Sequence, residues 1–206
     1  MVNTNRKGRY FMKIMKKGYK LLLIITGLLC VLAGCGKKES VSEVKVEVEV
    51  TDSAQLLNMV WEKFDESQKF AAMGGDFNNL VDGAAGIFNV EDTENLTYML
   101  YIPAENVSMI DEAASLIHAM NANTFTGAAF HLTDAGNADA LAADLKDYIL
   151  STQWMCGFPD ELAIYVVNGE YVVSAFGNAE IMENFKTKLS EVYGEGAVLV
   201  VEEKIA

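Results

Sequence analysis

Arginine is absent beyond Arg9. That removes the guanidinium fork used for bidentate recognition of carboxylates and phosphates, and with it any Cys–His–Arg catalytic arrangement. Histidine occurs only as His118 and His131, and cysteine only as Cys30, Cys35 and Cys156. The chain has two prolines and is 51% hydrophobic, which excludes collagen-like, low-complexity and wholly disordered classes. It carries no GxSxG, GxGxxG, P-loop, HExxH or CxxC motif, so nucleophile-elbow, dinucleotide, phosphate-loop, zincin and thioredoxin-like chemistries have no sequence support. Its 206 residues suffice for one domain with its own core.

Charge is plentiful and uneven. Residues 1–34 hold seven Lys or Arg and no acid, which leaves nine basic and 29 acidic groups, a net charge of −20, in the rest. Such a body disfavours nucleic acid and anionic lipid surfaces, which need clustered Lys and Arg. It favours divalent cations or basic partners.

The basic tail reads as a secretion signal. Arg6, Lys7, Arg9, Lys13, Lys16, Lys17 and Lys20 precede an apolar run of 11 residues, Leu21 to Val31. That run is too short to span a bilayer core of about 30 Å. Met12 and Met15 are alternative starts, each leaving a sufficient basic region. Leu32-Ala33-Gly34-Cys35 follows and resembles the lipobox of bacterial lipoproteins. The resemblance implies diacylglycerol on the Cys35 thiol, cleavage after Leu32, Ala33 and Gly34, and no other cofactor. It implies a mature chain anchored by lipid to the outer face of the bacterial cytoplasmic membrane. Each buried CH₂ of such an anchor contributes about 0.8 kcal/mol. Cys30 then leaves with the signal, and Cys156 has no disulfide partner within the mature chain.

Residues 35–51 are expected to be a lipidated tether, although Val44, Val46, Val48 and Val50 alternate with charges as a strand would. Asp52 and Gln55 signal a helix start, with Leu57, Val60, Trp61 and Phe64 as its apolar stripe. The Gly- and Asn-rich residues 77–91 are unassigned, and Leu96 to Tyr101 fits a helix or a strand. Extended segments are expected at Ala113 to Met120 and Thr126 to Leu132, joined by a turn at Asn121-Ala122-Asn123. Asn137 and Asn178 should cap two helices, with stripes of Leu141, Leu145, Tyr148 and Ile149, and of Ile181, Phe185, Leu189 and Val192. Gly194 should terminate the second. Asn168-Gly169 predicts a two-residue type I′ hairpin pairing Val166 with Tyr171 and Ile164 with Val173. Ala197 to Val201 gives a last strand.

From residue 126 onward the order is strand, helix, strand, strand, helix, strand. The predicted class is therefore α+β, a ferredoxin-like βαββαβ antiparallel sheet with helices on one face. The expected organisation is a signal peptide over 1–34, the tether over 35–51, a helical and strand extension over 52–125 packed on the core, and the βαββαβ core over 126–206, with 52–206 as one domain. Beyond the lipobox, the first helix and the two strand–helix units resemble a family of uncharacterised lipoproteins from clostridia-type bacteria. That resemblance implies an extracytoplasmic domain and no catalytic motif.

Candidate sites are few. If the two extended segments pair, His118 and His131 could meet and bind zinc with Asp134, but the plainer expectation is two histidines turned to solvent or hydrogen-bonded. Asp76, Asn78, Asn79 and Asp82, and the stretch Asp134 to Asp139, are rich in oxygen ligands but do not match a calcium loop. Cys156 lacks a base or positive field to activate it, and is expected to be a small buried residue. Trp154, Cys156, Phe158 and Asp160 would form a binding patch if exposed, though burial beneath the sheet is the expectation. The leading functional expectation is a non-catalytic binding or accessory domain whose partner is an envelope protein or a small ligand. The alternatives are an envelope-acting enzyme using carboxylates or Cys156, and a module binding a divalent cation.

Overall fold

The computed structural model describes residues 48–205. The signal segment, Leu32, Ala33, Gly34, lipidation residue Cys35 and Val41 to Glu47 lie outside the described residues. Helix α1 (Ser53–Trp61) starts as its sequence dictates: Asp52 accepts the Gln55 N–H at 2.7 Å. The Gln55 side chain reaches back to the Thr51 N–H at 2.7 Å, one residue further out than in a capping box. Leu57, Val60, Trp61 and Phe64 are all buried.

Four short or edge elements follow: β1 (Ala72–Gly74), β2 (Val81–Asp82), β3 (Gly86–Phe88) and helix α2 (Thr93–Leu100). Asp92 caps α2, and Tyr101 ends it in the left-handed region at φ 58. The ambiguous segment 96–101 is thus the end of a helix. Then come β4 (Ile110–His118), β5 (Phe125–Leu132), α3 (Ala138–Ser151), β6 (Glu161–Val167), β7 (Tyr171–Gly177), α4 (Ala179–Tyr193) and β8 (Ala197–Lys204). Asn178 caps α4 as expected, accepting from Glu180 and Ile181 N–H. Asn137 precedes α3 without a side-chain cap, and Asp134 takes that part by accepting the Gly136 N–H at 2.9 Å.

All strands join one eight-stranded antiparallel sheet in the order β2-β1-β4-β5-β7-β6-β8, with β3 also on β4. The protein is therefore α+β, but two expectations are corrected. The last strand, β8, adds to the far edge of β6 rather than beside β5, whose free edge is taken by β4. The ferredoxin-like closure is therefore not made. Residues 52–125 are not an extension, since they supply half of the sheet. The strand order also moves the helices. Units β5-α3-β6 and β7-α4-β8 step the same way along the sheet from antiparallel starting strands, so right-handed crossovers place α3 and α4 on opposite faces. The two cores agree. One joins α1 and α4 (Leu57, Phe185, Leu189) to Phe125, Tyr165 and Val173. The other joins α2 and α3 (Leu96, Leu141, Leu145) to Phe130, Ile164 and Val172.

Two-sided burial also explains the hairpin register. Asn168 and Gly169 do take positive φ, 51 and 73. Yet Val167 lies opposite Tyr171, and Tyr165 opposite Val173, one residue from the expected pairing. Alternation sets register only where one face is polar, and here both faces are apolar and buried.

The unassigned residues 77–91 are organised by one carboxylate just ahead of them. Asp76 is 2% exposed and accepts N–H groups from Asn78 at 2.7 Å, Asn79 at 2.9 Å and Asn89 at 3.0 Å. Burial alone would raise its pKa, but these backbone hydrogen bonds outweigh burial and hold the carboxyl below its ordinary value. Gly74 and Gly86 sit back to back where the edge of β4 passes from β1 to β3. A Cβ on Gly74 would lie 2.3 Å from the Gly86 nitrogen. On the far side of the sheet, Lys186 of α4 ties β6 to β8 through Glu161 at 3.0 Å and Glu202 at 2.8 Å.

Two predictions follow from this architecture. Both cores lie within 48–205, so a chain of residues 46–206 should unfold in one cooperative thermal transition. Separate transitions or a non-cooperative melt would contradict this. Asp76→Ala should cost about 3 kcal/mol at pH 7 in chemical denaturation, as three charge-assisted hydrogen bonds are lost. The pH dependence has a definite sign. The folded-state pKa is depressed, so this stability is present above the ordinary value of 3.8 and lost as pH falls through the lower folded value. The gap between wild type and Asp76→Ala should therefore narrow below about pH 3.8. A gap constant down to pH 2 would contradict it.

Candidate functional site

A groove of about 680 Å³ opens on the face carrying α2 and α3. Its volume lies within the ~300–1,000 Å³ range of small-molecule sites. One wall is α2 with Thr97, Tyr98 and Met99. The other is the end of α3 and the loop that follows it, with Tyr148, Thr152, Gln153 and Trp154. The end of β4 and its turn supply Ile117, His118 and Met120, and the 73–80 segment adds Met73, Phe77 and Leu80.

An aromatic cluster fixes one end. The ring centroids of Trp154 and Tyr101 lie 5.4 Å apart, and each contacts Phe176, at 5.2 and 5.0 Å. Burial pushes the Tyr101 phenol above its ordinary pKa, and nearby Tyr98 and Tyr148 add to the effect, so it stays neutral. No lining residue is Asp, Glu, Lys or Arg. Two lining groups are shielded from solvent and lack a hydrogen-bond partner among the described residues: Trp154 Nε1 and Thr97 Oγ1. Several lining side chains stand in solvent, with Tyr98 73%, Met120 81% and Met155 79% exposed. Exposed thioethers and aromatics of this kind suit adaptable apolar recognition.

The loop carrying the predicted patch is exposed, which corrects the expectation of burial. Phe158 and Cys156 are solvent-accessible, whereas Trp154 and Asp160 are partly covered. The reason lies in the turn at 121–123. Asn121 donates to the Cys156 carbonyl at 2.9 Å, and Asn123 donates to the carbonyls of Met155 at 2.8 Å and Gly157 at 3.0 Å. These bonds hold Cys156 at φ 65, a left-handed conformation unusual for a non-glycine residue. They hold the loop out over the groove rather than under the sheet. The Cys156 thiol is free and solvent-exposed. Asp160 does not join the patch, because its carboxylate accepts the Ala179 N–H at 2.8 Å at the start of α4.

The other candidates are dispersed. His118 and His131 lie at opposite ends of the β4–β5 pair, since His131 faces Glu112 and His118 faces Ala72. That is about 20 Å along the strand at ~3.3 Å per residue, so they do not form one zinc site with Asp134. His118 stacks on Phe70 at 5.2 Å, and His131 Nδ1 lies 2.5 Å from Asp111 Oδ1. Asp76 spends its oxygens on loop N–H groups, while Asp82 stands exposed on β2. Asp139 sits in the first turn of α3, as its position predicts. Among the described residues no three His, Cys, Asp or Glu side chains converge to hold a metal ion.

Asn123→Ala should free the 155–157 loop. Hydrogen exchange there should rise about tenfold while the melting temperature falls by less than about 2 °C, since only exposed-loop bonds are lost. Unchanged exchange would contradict the staple. As a whole, the chain matches no protein-family model, no curated protein and no solved structure.

Proposed function

We propose that this chain is a lipid-anchored extracytoplasmic binding protein, without catalysis of its own, whose groove between α2 and α3 takes a neutral and largely apolar ligand. One observation carries the reading. The chain beyond residue 34 bears a net charge of −20, yet the residues lining the groove include no acid and no lysine. On a surface this acidic, a concavity without carboxylates or lysines and rich in aromatic and thioether groups is the place where an apolar compound gains most by leaving water. The same property argues against a cationic ligand, which would find no carboxylate there, and His118 is the one imidazole of the lining. The anchor rests on the basic segment and the Leu32-Ala33-Gly34-Cys35 run.

The enzyme alternative fares less well. It needs a base beside Cys156 or an isolated carboxylate pair in a cleft, and the groove offers neither. The cation-binding alternative needs converging carboxylates, and the acids named above are engaged elsewhere.

Two experiments test the two halves of the proposal. Cys35→Ser should move the chain from the membrane fraction to the soluble fraction of cells, and full membrane retention would refute lipid anchoring at that residue. For the groove, Tyr98→Asp and Tyr148→Asp each place a charge in the lining at an exposed position, 73% and 38% accessible. Each should weaken binding of the neutral fluorophore N-phenylnaphthylamine about tenfold or more, with little change in thermal stability. Unaltered affinity in both variants would place the binding site elsewhere.

A further inference from the structure

The groove's lining narrows its ligand further, on the premise that the groove is the binding site. Trp154 Nε1–H is a donor only, and Thr97 Oγ1 is a donor and acceptor. Both atoms are buried without a partner among the described residues, and both residues line the groove. Thr97 sits in the last turn of α2, and Tyr101, which ends that helix, contacts Trp154 at 5.4 Å. The two residues therefore stand at the same end of the groove, by the aromatic cluster. A shielded polar group without a partner is destabilising. An acceptor delivered by a ligand relieves that cost, whereas a pure hydrocarbon leaves it in place.

Two of the three side-chain amides lining the groove are already engaged, leaving Gln153 as the third. Asn121 and Asn123 spend their side-chain N–H groups on the carbonyls of residues 155–157. The Asn121 side-chain oxygen accepts the Asn123 N–H at 3.0 Å. A bound peptide chain, which presents carbonyl and N–H groups at every residue, would find few free partners. A compact ligand with one acceptor finds what it needs at Trp154 and Thr97.

We propose that the groove binds a small neutral amphiphile, an aromatic or branched aliphatic body bearing a carbonyl, ester or ether oxygen, with that oxygen accepting from Trp154 Nε1 and Thr97 Oγ1. The body lies among Tyr98, Tyr148, Met99 and Met120, and the oxygen points to the Tyr101–Trp154 end. This assigns Trp154 and Thr97 the choice of ligand and assigns the tyrosines and methionines its general affinity.

The test is a titration of residues 46–206 with acetophenone and with cumene, which share shape and differ in the carbonyl. Binding is followed by heat and by chemical-shift change. Because the two compounds differ in their own hydration, the informative quantity is the effect of mutation on each. Trp154→Phe keeps a ring and removes the donor, and Thr97→Val keeps the shape and removes the hydroxyl. Each should weaken acetophenone about fivefold, as expected for one neutral hydrogen bond, and change cumene by less than about twofold. Equal effects on both compounds, or no effect on either, would overturn the acceptor assignment while leaving the groove as the site. Binding of neither compound to the unmutated protein would overturn the groove reading and this inference together. Tighter binding of a blocked neutral hexapeptide of alternating phenylalanine and serine would overturn the small-ligand assignment in favour of a peptide segment.

Discussion

Every residue of β7, from Tyr171 to Gly177, is buried, and β5 and β6 are nearly so. A strand apolar on both sides must be covered on both sides, and the rest of the molecule follows from that constraint. It requires helices on each face. It requires β8 to extend the sheet beyond β6 so that the second crossover carries α4 to the face opposite α3. It also gives residues 52–125 their work, since α1 joins α4 in one core and α2 joins α3 in the other. The groove belongs to the second layer, where α2 and the end of α3 both stand over the end of β4 with concave space between them.

Much of this was legible from the chain alone. The stripe of α1 and the strands around 113–120 and 126–132 came from periodicity, and the caps of α1 and α4 came from Asp52 and Asn178. What misled was the hairpin. With Leu162 to Val167 and Tyr171 to Phe176 mostly apolar at every position, alternation carries no information about register or about which face is covered. The single-faced, ferredoxin-like arrangement followed from that gap. The segment 77–91 was illegible for a different reason. Its conformation is set by Asp76 collecting N–H groups from Asn78, Asn79 and Asn89, and by the close approach of Gly74 to Gly86. Both are tertiary relations without a periodic trace.

The candidate site shows the same division. Trp154 was singled out in the sequence as part of an apolar loop. Tyr148 was read as part of the apolar stripe of α3, but it stands 38% exposed in the groove wall. Tyr98 and Tyr101 were not singled out. In α2 the buried positions are Leu96 and Leu100, and Tyr98 points away from that stripe. A large aromatic side chain on the outer face of a helix was the available signal. The exposure of Cys156 and Phe158 depends on hydrogen bonds from Asn121 and Asn123, more than thirty residues away. A turn was evident at those asparagines, but not the loop that they hold. Chemically, the groove is defined by contrast, a neutral aromatic and thioether surface set into a strongly acidic body. On the reading proposed above, that contrast favours a neutral, apolar ligand, with the unpartnered polar atoms of Trp154 and Thr97 choosing it.

The chain contains two tryptophans, and they report on different parts of the molecule. The Trp61 indole N–H is buried and donates to the Gly83 carbonyl at 2.8 Å, whereas the Trp154 N–H lies at the groove without a partner among the described residues. A nitrogen–proton correlation spectrum of residues 46–206 therefore shows one indole signal from the core and one from the site. Titration with acetophenone should shift the Trp154 signal downfield, as a new hydrogen bond forms, and leave the Trp61 signal in place. Saturable binding that leaves the Trp154 signal unmoved would contradict the assignment of the groove as the binding site.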